Sequence, residues 1–427
     1  MSSDDLLSAE IDDGAEIKED YEDEEDKDAP REKTINLGYG KAETSTNNLL
    51  ITSKNVFVPN AYDYLDANGK KVSAGYFSWS ALNTYRRCQR SFYYKYVVKK
   101  RRPQAAPKMW GGSAIHEVVE KMLQAKIDNP AFMEAVRDIY VNAIVQAAGG
   151  NASKFSLEKV AAVSGINLPF TNEAMKKEFK KAYHEFSSKY AQAQARAINE
   201  GKEPLGDVSW GARVESEQEF HVKYLNAIDG YIQKEYPLVK PKAIEELMIY
   251  HFPLDNGGTV PIVGFIDLIE ETDFMSEYHR EVTEAKDSDL DDYSKELADK
   301  AIRSIDNGEP MITDHKCGLA KSYESARVDQ QLTLYSMAKG IEVVGFDSIA
   351  LGTTGGKRPD RAKPAKIRKV FARRTQEDYE ELSKDFNAII KGISSGIYDK
   401  SGYGNSMVCS PKLCEFYSTE CFKKGCK

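Results

Sequence analysis

Residues 311–335 read MITDHKCGLAKSYESARVDQQLTLY, and the reading of this stretch decides the fold. Met311 and Ile312 form a short apolar run that delivers Asp314, His315 and Lys316 where a strand is expected to end. A turn at Gly318 and a helix-like segment follow, and Gln331 and Tyr335, four apart, share one face of that helix. A D-x-K at a strand tip, backed by a helix with polar groups, suits phosphodiester hydrolysis. The carboxylate can hold a divalent cation, and the ammonium can stabilise charge on the phosphate or orient the attacking water. Acid and base at this spacing recur by chance in most proteins, so the pair takes its meaning from the rest of the chain.

Upstream, IEELMIYHFPL and TVPIVGFIDLIEE flank Asp255-Asn256-Gly257-Gly258, which predicts a hairpin. The second strand sets Asp267 between Ile266 and Leu268. A carboxylate buried in such a run is costly unless it meets a metal or a cationic partner. Further back, WGGSAIHEVVEKMLQAKI predicts a helix that starts near Gly111 and Gly112 and carries His116 where an open imidazole could reach a metal. Most histidines are structural. Glu284 and Lys286 spell a second acid-x-Lys, but EAKDSDLDDYSKELADK is a charged helical surface and is rejected.

Two segments suit a polyanion. FSWSALNTYRRCQRSFYYKYVVKKRRP predicts a helix capped by Ser78 or Ser80, crowded with aromatics and basic at its end, and stopped by Pro103. Downstream, nine Lys or Arg between Lys357 and Arg374 face only Asp360, a candidate set of phosphate contacts or a solvated strand edge. GTTGGK at 352–357 is one residue short of a phosphate loop and is followed by Arg358, so no nucleotide motor is expected.

The overall charge of −8 hides an asymmetry. Residues 1–35 carry fifteen Asp/Glu against four Lys/Arg, so this arm holds −11 and the remainder +3. Residues 1–45 are expected to form an acidic disordered tail, either solubilising or mimicking nucleic acid in the basic groove. No apolar run reaches the roughly 18 residues of a membrane span, and no signal peptide opens the chain, so a cytoplasmic protein is expected. Six cysteines in such a compartment are not a disulfide framework. Cys409, Cys414, Cys421 and Cys426 crowd the end as C-x4-C-x6-C-x4-C and read as a metal site. Cys317 reads as a small buried residue.

Taken in order, these pieces resemble the RecB/AddB-type branch of the PD-(D/E)XK nuclease superfamily. SWSALNTYRRCQRSFYYKYV resembles its entry helix, GSAIH its G-x3-H motif, GFIDLIEE its G-x-x-D strand, ITDHKCG its (D/E)-x-K strand and QLTLY its Q-x3-Y helix. The resemblance implies a restriction-endonuclease-like α/β core with a central mixed sheet flanked by helices. It would occupy residues 46–427, with a helical insertion at 128–235, an acidic insertion at 271–310 and a C-terminal cysteine cluster at 405–427. His116, Asp267, Asp314 and the His315 carbonyl would then ligate Mg2+ or Mn2+. Lys316 would act at the scissile phosphate beside Asp267 and Asp314, with Gln331 and Tyr335 positioning the strand.

A 4Fe-4S cluster on Cys88, Cys409, Cys414 and Cys421 is also implied. Cys426 in place of Cys421, or Zn2+ on the four C-terminal thiolates, remain open. The implied activity is exonucleolytic cleavage of single-stranded DNA or duplex ends in recombination, repair or phage genome processing. It would take place in a bacterial or phage-infected cell, with any helicase, recombinase or clamp on a separate chain. A non-catalytic DNA-binding scaffold and a nuclease trimming spacers in CRISPR adaptation are the rivals.

Overall fold

The computed structural model describes residues 60–65, 71–98, 107–147, 155–201, 216–272, 307–353 and 362–399, with scattered positions in 296–305 and 409–421. The acidic tail, Glu284, Cys426 and most of the acidic 271–310 stretch lie outside the described residues. The chain opens on an antiparallel hairpin, β1 (Asn60–Leu65) and β2 (Lys71–Tyr76).

Helix α1 (Trp79–Arg87) begins at Ser78, whose side-chain oxygen accepts the Ala81 N–H at 3.2 Å. It does not continue to Pro103. Arg90 N–H donates to the Asp399 carbonyl at 3.1 Å rather than to its own helix, and Cys88 is extended (φ −162°, ψ 106°). A short α2 (Gln89–Phe92) and a π-turn at Tyr93–Val97 follow. The chain after the last helix therefore breaks the entry helix at its cysteine.

Among its described residues, the stretch read as helical and charged holds α4 (Pro130–Ala147), α5 (Leu157–Ser164), α6 (Asn172–Asn199) and α7 (Glu217–Lys234), after α3 (Pro107–Asp128). The glycine pair lies inside α3 rather than at its start. A Cβ on Gly111 would stand 2.4 Å from Cζ of Tyr224 on α7, so the glycine lets the two helices meet there.

The expected hairpin joins β3 (Lys240–Pro253) to β4 (Thr259–Glu271). Gly257 supplies the left-handed residue of the turn (φ +81°). β5 (Met311–Gly318), β6 (Val343–Ala350) and β7 (Lys366–Arg373) complete a mixed sheet ordered β3-β4-β5-β6-β7, in which only β5 and β6 run parallel. The crossover between them holds α8 (Tyr323–Val328) and α9 (Gln330–Lys339), and α10 (Gln376–Ser394) follows β7.

Alternation along the strands splits the core in two. Ile269, Ile312, Phe346 and Val370 face α1, α9 and α10, whereas Leu268, Cys317, Ile349 and Ile367 face α3 and α7. This is the restriction-endonuclease-like α/β architecture. The basic run is corrected on burial: Lys369 and Arg374 are each about 1% exposed, and Arg373 pairs with Glu309 and Glu342, so these three are not phosphate contacts.

Gly111→Ala is expected to destabilise the fold by about 1–3 kcal/mol through overpacking against Tyr224. Urea-denaturation midpoints of the two proteins measure it, and an unchanged midpoint would show that the helices can separate without cost.

Candidate metal centre and cysteine cluster

β4 and β5 pair over only three positions, from Glu270–Met311 to Leu268–Thr313, whereas β5 stays on β6 from Met311 to Gly318. Asp314, His315 and Lys316 are therefore not at a strand tip. They lie mid-strand, at the point where β4 leaves them. Asp267 fills the opening: its Oδ2 accepts the His315 main-chain N–H at 2.8 Å. Farther along the open edge of β4, Phe77 bridges Ile262, with Phe77 N–H to Pro261 O at 3.0 Å and Val263 N–H to Phe77 O at 2.8 Å. A short gap in the sheet remains between these two closures.

His116 reaches this gap from α3, its Nδ1 3.5 Å from Asp267 Oδ2. A third group, unforeseen in the sequence, completes the cluster. Ile244 pairs with Leu268 and Glu246 with Ile266, which leaves Glu245 opposite Asp267. One ligand atom from each of His116, Glu245 and Asp267 lies within 4.8 Å of the others. Among the described residues Glu245 is the one non-glycine with positive φ, +47°. Left-handed backbone is costly for a side-chain-bearing residue and persists where surrounding structure enforces it, often at functional sites. Like charges directly across a strand pair repel. Two facing carboxylates beside an imidazole are thus a donor set that a divalent cation relieves, and hard oxygen donors suit Mg2+ or Mn2+.

The buried Asp314 lies outside that three-residue cluster. Its Oδ2 is 3.0 Å from Lys316 Nζ, which also points to Gln331 Oε1 at 3.4 Å. Gln331 Nε2 donates to the Tyr335 hydroxyl at 2.9 Å, so the four-residue spacing on α9 does join the two side chains. Asp314, Lys316, Gln331 and Tyr335 form one chain of contacts on one face of the sheet.

The His315 side chain points to the opposite face, where its Nδ1 is 3.2 Å from Asp347 Oδ2. Burial pulls this imidazole's pKa down, but Asp347 more than offsets it and the net direction is up. Burial pushes the Asp347 carboxyl up, and Lys369 and His315 outweigh it, leaving the group below its ordinary value. The His315 imidazole is thus taken up by Asp347, and its carbonyl is the group left to the expected ligand role.

Cys88 at the break of the entry helix converges with Cys409, Cys414 and Cys421. The Cys414 thiol is pushed up to about 11, first by burial and then by the neighbouring Cys421, Cys88 and Cys409. Tyr94 packs on Phe416 with ring centroids 5.4 Å apart, so aromatic contact closes the same junction. Cys317 is separate, buried against α3 and α7 with its thiol raised to about 12 by burial.

The sequence pattern of the PD-(D/E)XK nuclease superfamily matches residues 76–301, just over half of the chain. The chain belongs to the PD-(D/E)XK nuclease superfamily. The match spans His116, Glu245 and Asp267 and ends before β5. Members are generally phosphodiesterases that use divalent metals and act on DNA. No match was found among curated proteins. Among the described residues, no helix is long and apolar enough to cross a membrane.

Glu245→Gln should have opposite effects with and without metal. In EDTA the variant is expected to melt higher than the parent, because the facing carboxylates no longer repel. With Mn2+ its affinity, measured by calorimetric titration, is expected to fall at least about tenfold. Equal Mn2+ affinity in the two proteins would remove Glu245 from the centre.

Proposed function

We propose that this protein is a metal-dependent DNA exonuclease acting on single strands or duplex ends. One observation carries the reading: the His116–Glu245–Asp267 cluster and the Asp314–Lys316 pair meet where β4 and β5 part. His116, Glu245 and Asp267 are the residues to hold Mg2+ or Mn2+, with Asp314 and the His315 carbonyl completing the set. A divalent cation held there supplies Lewis-acid polarisation of the scissile phosphate.

The remaining steps belong to the chain. Lys316, steadied by Asp314 and Gln331, offers its ammonium to the phosphate or to the attacking water. Tyr335, through Gln331, holds Lys316 against α9 and limits its rotation. Asp267 does double duty, since the His315 N–H fixes one of its oxygens while His116 stands beside it.

Cys88, Cys409, Cys414 and Cys421 are proposed to hold a 4Fe-4S cluster that ties the entry helix to the C-terminal segment. The grouping of Cys88 with the other three favours this over zinc held by C-terminal thiolates alone. The nuclease domain is assigned to 46–427, with 128–235, 271–310 and 405–427 as its elaborations and 1–45 as an acidic tail. Its setting is DNA recombination, repair or phage genome processing in the cytoplasm of a bacterial or phage-infected cell, with any helicase, recombinase or clamp on a separate chain.

Digestion of end-labelled linear and of circular single-stranded DNA with Mg2+ or Mn2+ tests the activity. Stepwise loss from ends with circles left intact is expected, and Asp267→Asn and Lys316→Ala should each lower kcat by about 10²–10³-fold. A Lys316→Ala protein as fast as the parent would overturn the catalytic assignment, and cut circles would make the enzyme an endonuclease. For the cysteines, anaerobically purified protein is expected to be brown and to carry about four irons, with both lost in Cys88→Ser. A colourless sample loaded with zinc refutes the cluster.

A further inference from the structure

The face of the sheet behind the metal centre holds a polar group that the proposed chemistry does not use. Lys369 on β7 is about 1% exposed, and its Nζ lies 2.5 Å from Glu270 Oε1, 2.9 Å from Asp347 Oδ1 and 3.5 Å from Glu235 Oε1. All three carboxylates are buried. From this ammonium two links run to β5. Asp347 meets the His315 imidazole at 3.2 Å, and Glu270 accepts the hydroxyl proton of Thr313 in a short hydrogen bond. Thr313 and His315 are the neighbours of Asp314.

Side chains alternate along a strand, so a pin on residues 313 and 315 from one face sets the aim of 314 and 316 on the other. It also fixes the His315 main-chain N–H, which donates to Asp267. Burying so many charges is rarely the most stabilising choice, since well-packed apolar residues of similar volume often do as well or better. Here the network lies directly behind Asp314 and touches the strand on both sides of it, at Thr313 and at His315.

We infer that Lys369, with Asp347 and Glu270, is a positioning apparatus for the metal centre. It clamps Thr313 and His315 from the back of the sheet and so aligns Asp314, Lys316 and Asp267. The inference rests on the metal centre proposed above. Polar groups behind ligating residues commonly change metal affinity 10–100-fold when removed.

The test compares Mn2+ affinity, Mn2+ electron paramagnetic resonance and steady-state kinetics in full-length variants. Asp347→Asn and Thr313→Val each cut one link, and His315→Phe keeps a ring but drops the Asp347 contact in case Asp347→Asn does not fold. Phe132→Leu is the stability control. Phe132 is buried on α4, its ring packs on Phe170 with centroids 6.3 Å apart, and neither residue belongs to the Lys369 group.

Asp347→Asn, or His315→Phe in its place, is expected to lose at least about tenfold in Mn2+ affinity and in kcat, with KM for DNA unchanged and an altered Mn2+ spectrum. Phe132→Leu should lose stability and keep the parent's Mn2+ affinity. Parent-like affinity and spectrum in folded Asp347→Asn or His315→Phe would overturn the inference, as would an equal loss in Phe132→Leu. Retention of Mn2+ binding by Asp267→Asn would instead bring down the metal centre itself.

Discussion

The parting of β4 from β5 is the constraint on which the site depends. An antiparallel pair continued past Leu268–Thr313 would spend the His315 N–H on a β4 carbonyl and close the sheet. Instead that N–H goes to the Asp267 side chain, and the space between the strands stays open. The parting is tolerable because each strand keeps another partner. β5 remains hydrogen-bonded to β6 along its length, and β4 remains on β3. Phe77 then covers the far end of the open β4 edge through two main-chain bonds, limiting the number of unpaired groups. A gap made this way can be reached from both layers of helices, by His116 from one side and by Gln331 and Tyr335 from the other.

Electrostatics follow from that geometry. The gap gathers Glu245, Asp267 and Asp314 within a few strand positions, and without a cation this concentration of carboxylate opposes folding. Asp314 meets Lys316 at 3.0 Å, and Asp267 meets His116 at 3.5 Å. Behind the sheet the imbalance is handled differently, by Lys369 among three carboxylates and by Lys126, whose pKa burial pulls down to about 7. The sheet thus separates an internally paired group of charges from the carboxylates proposed to hold a metal. The positive φ of Glu245 belongs to the second, since it turns a carboxylate towards charge of its own sign.

How much of this was legible in the sequence depends on the range of the interaction. Turn chemistry is local, so Asp255 to Gly258 announced the β3–β4 hairpin and its register. That register already contained the missing ligand: a turn pairing Pro253 with Thr259 sets residue 245 against 267, and Glu245 could have been found by counting back from it. Pairing at distance was not legible. Nothing near Arg90 tells it to bond Asp399, so the sequence around Cys88 reads as continuous helix. At Lys369 the basic run failed for the same reason. A string of Lys and Arg looks solvated until the sheet brings Glu270 and Asp347 from other strands to Lys369.

The break at Cys88 also ties the two ends of the fold to one another. Helical continuation would have kept the residue 88 backbone within the entry helix. Extended backbone there, forced by the 397–399 segment through Arg90 and by the Tyr85 hydroxyl on the Ile397 carbonyl at 2.8 Å, brings Cys88 to Cys414. Main-chain and aromatic contacts thus help to gather the thiols by packing. Entry helix α1 in turn leads from Phe77, the residue that closes the open edge of β4. A clamp at the cysteines would therefore steady the same segment that bounds the proposed metal centre. The cysteine group and the gap between β4 and β5 are thereby connected through one stretch of chain, Phe77 to Cys88.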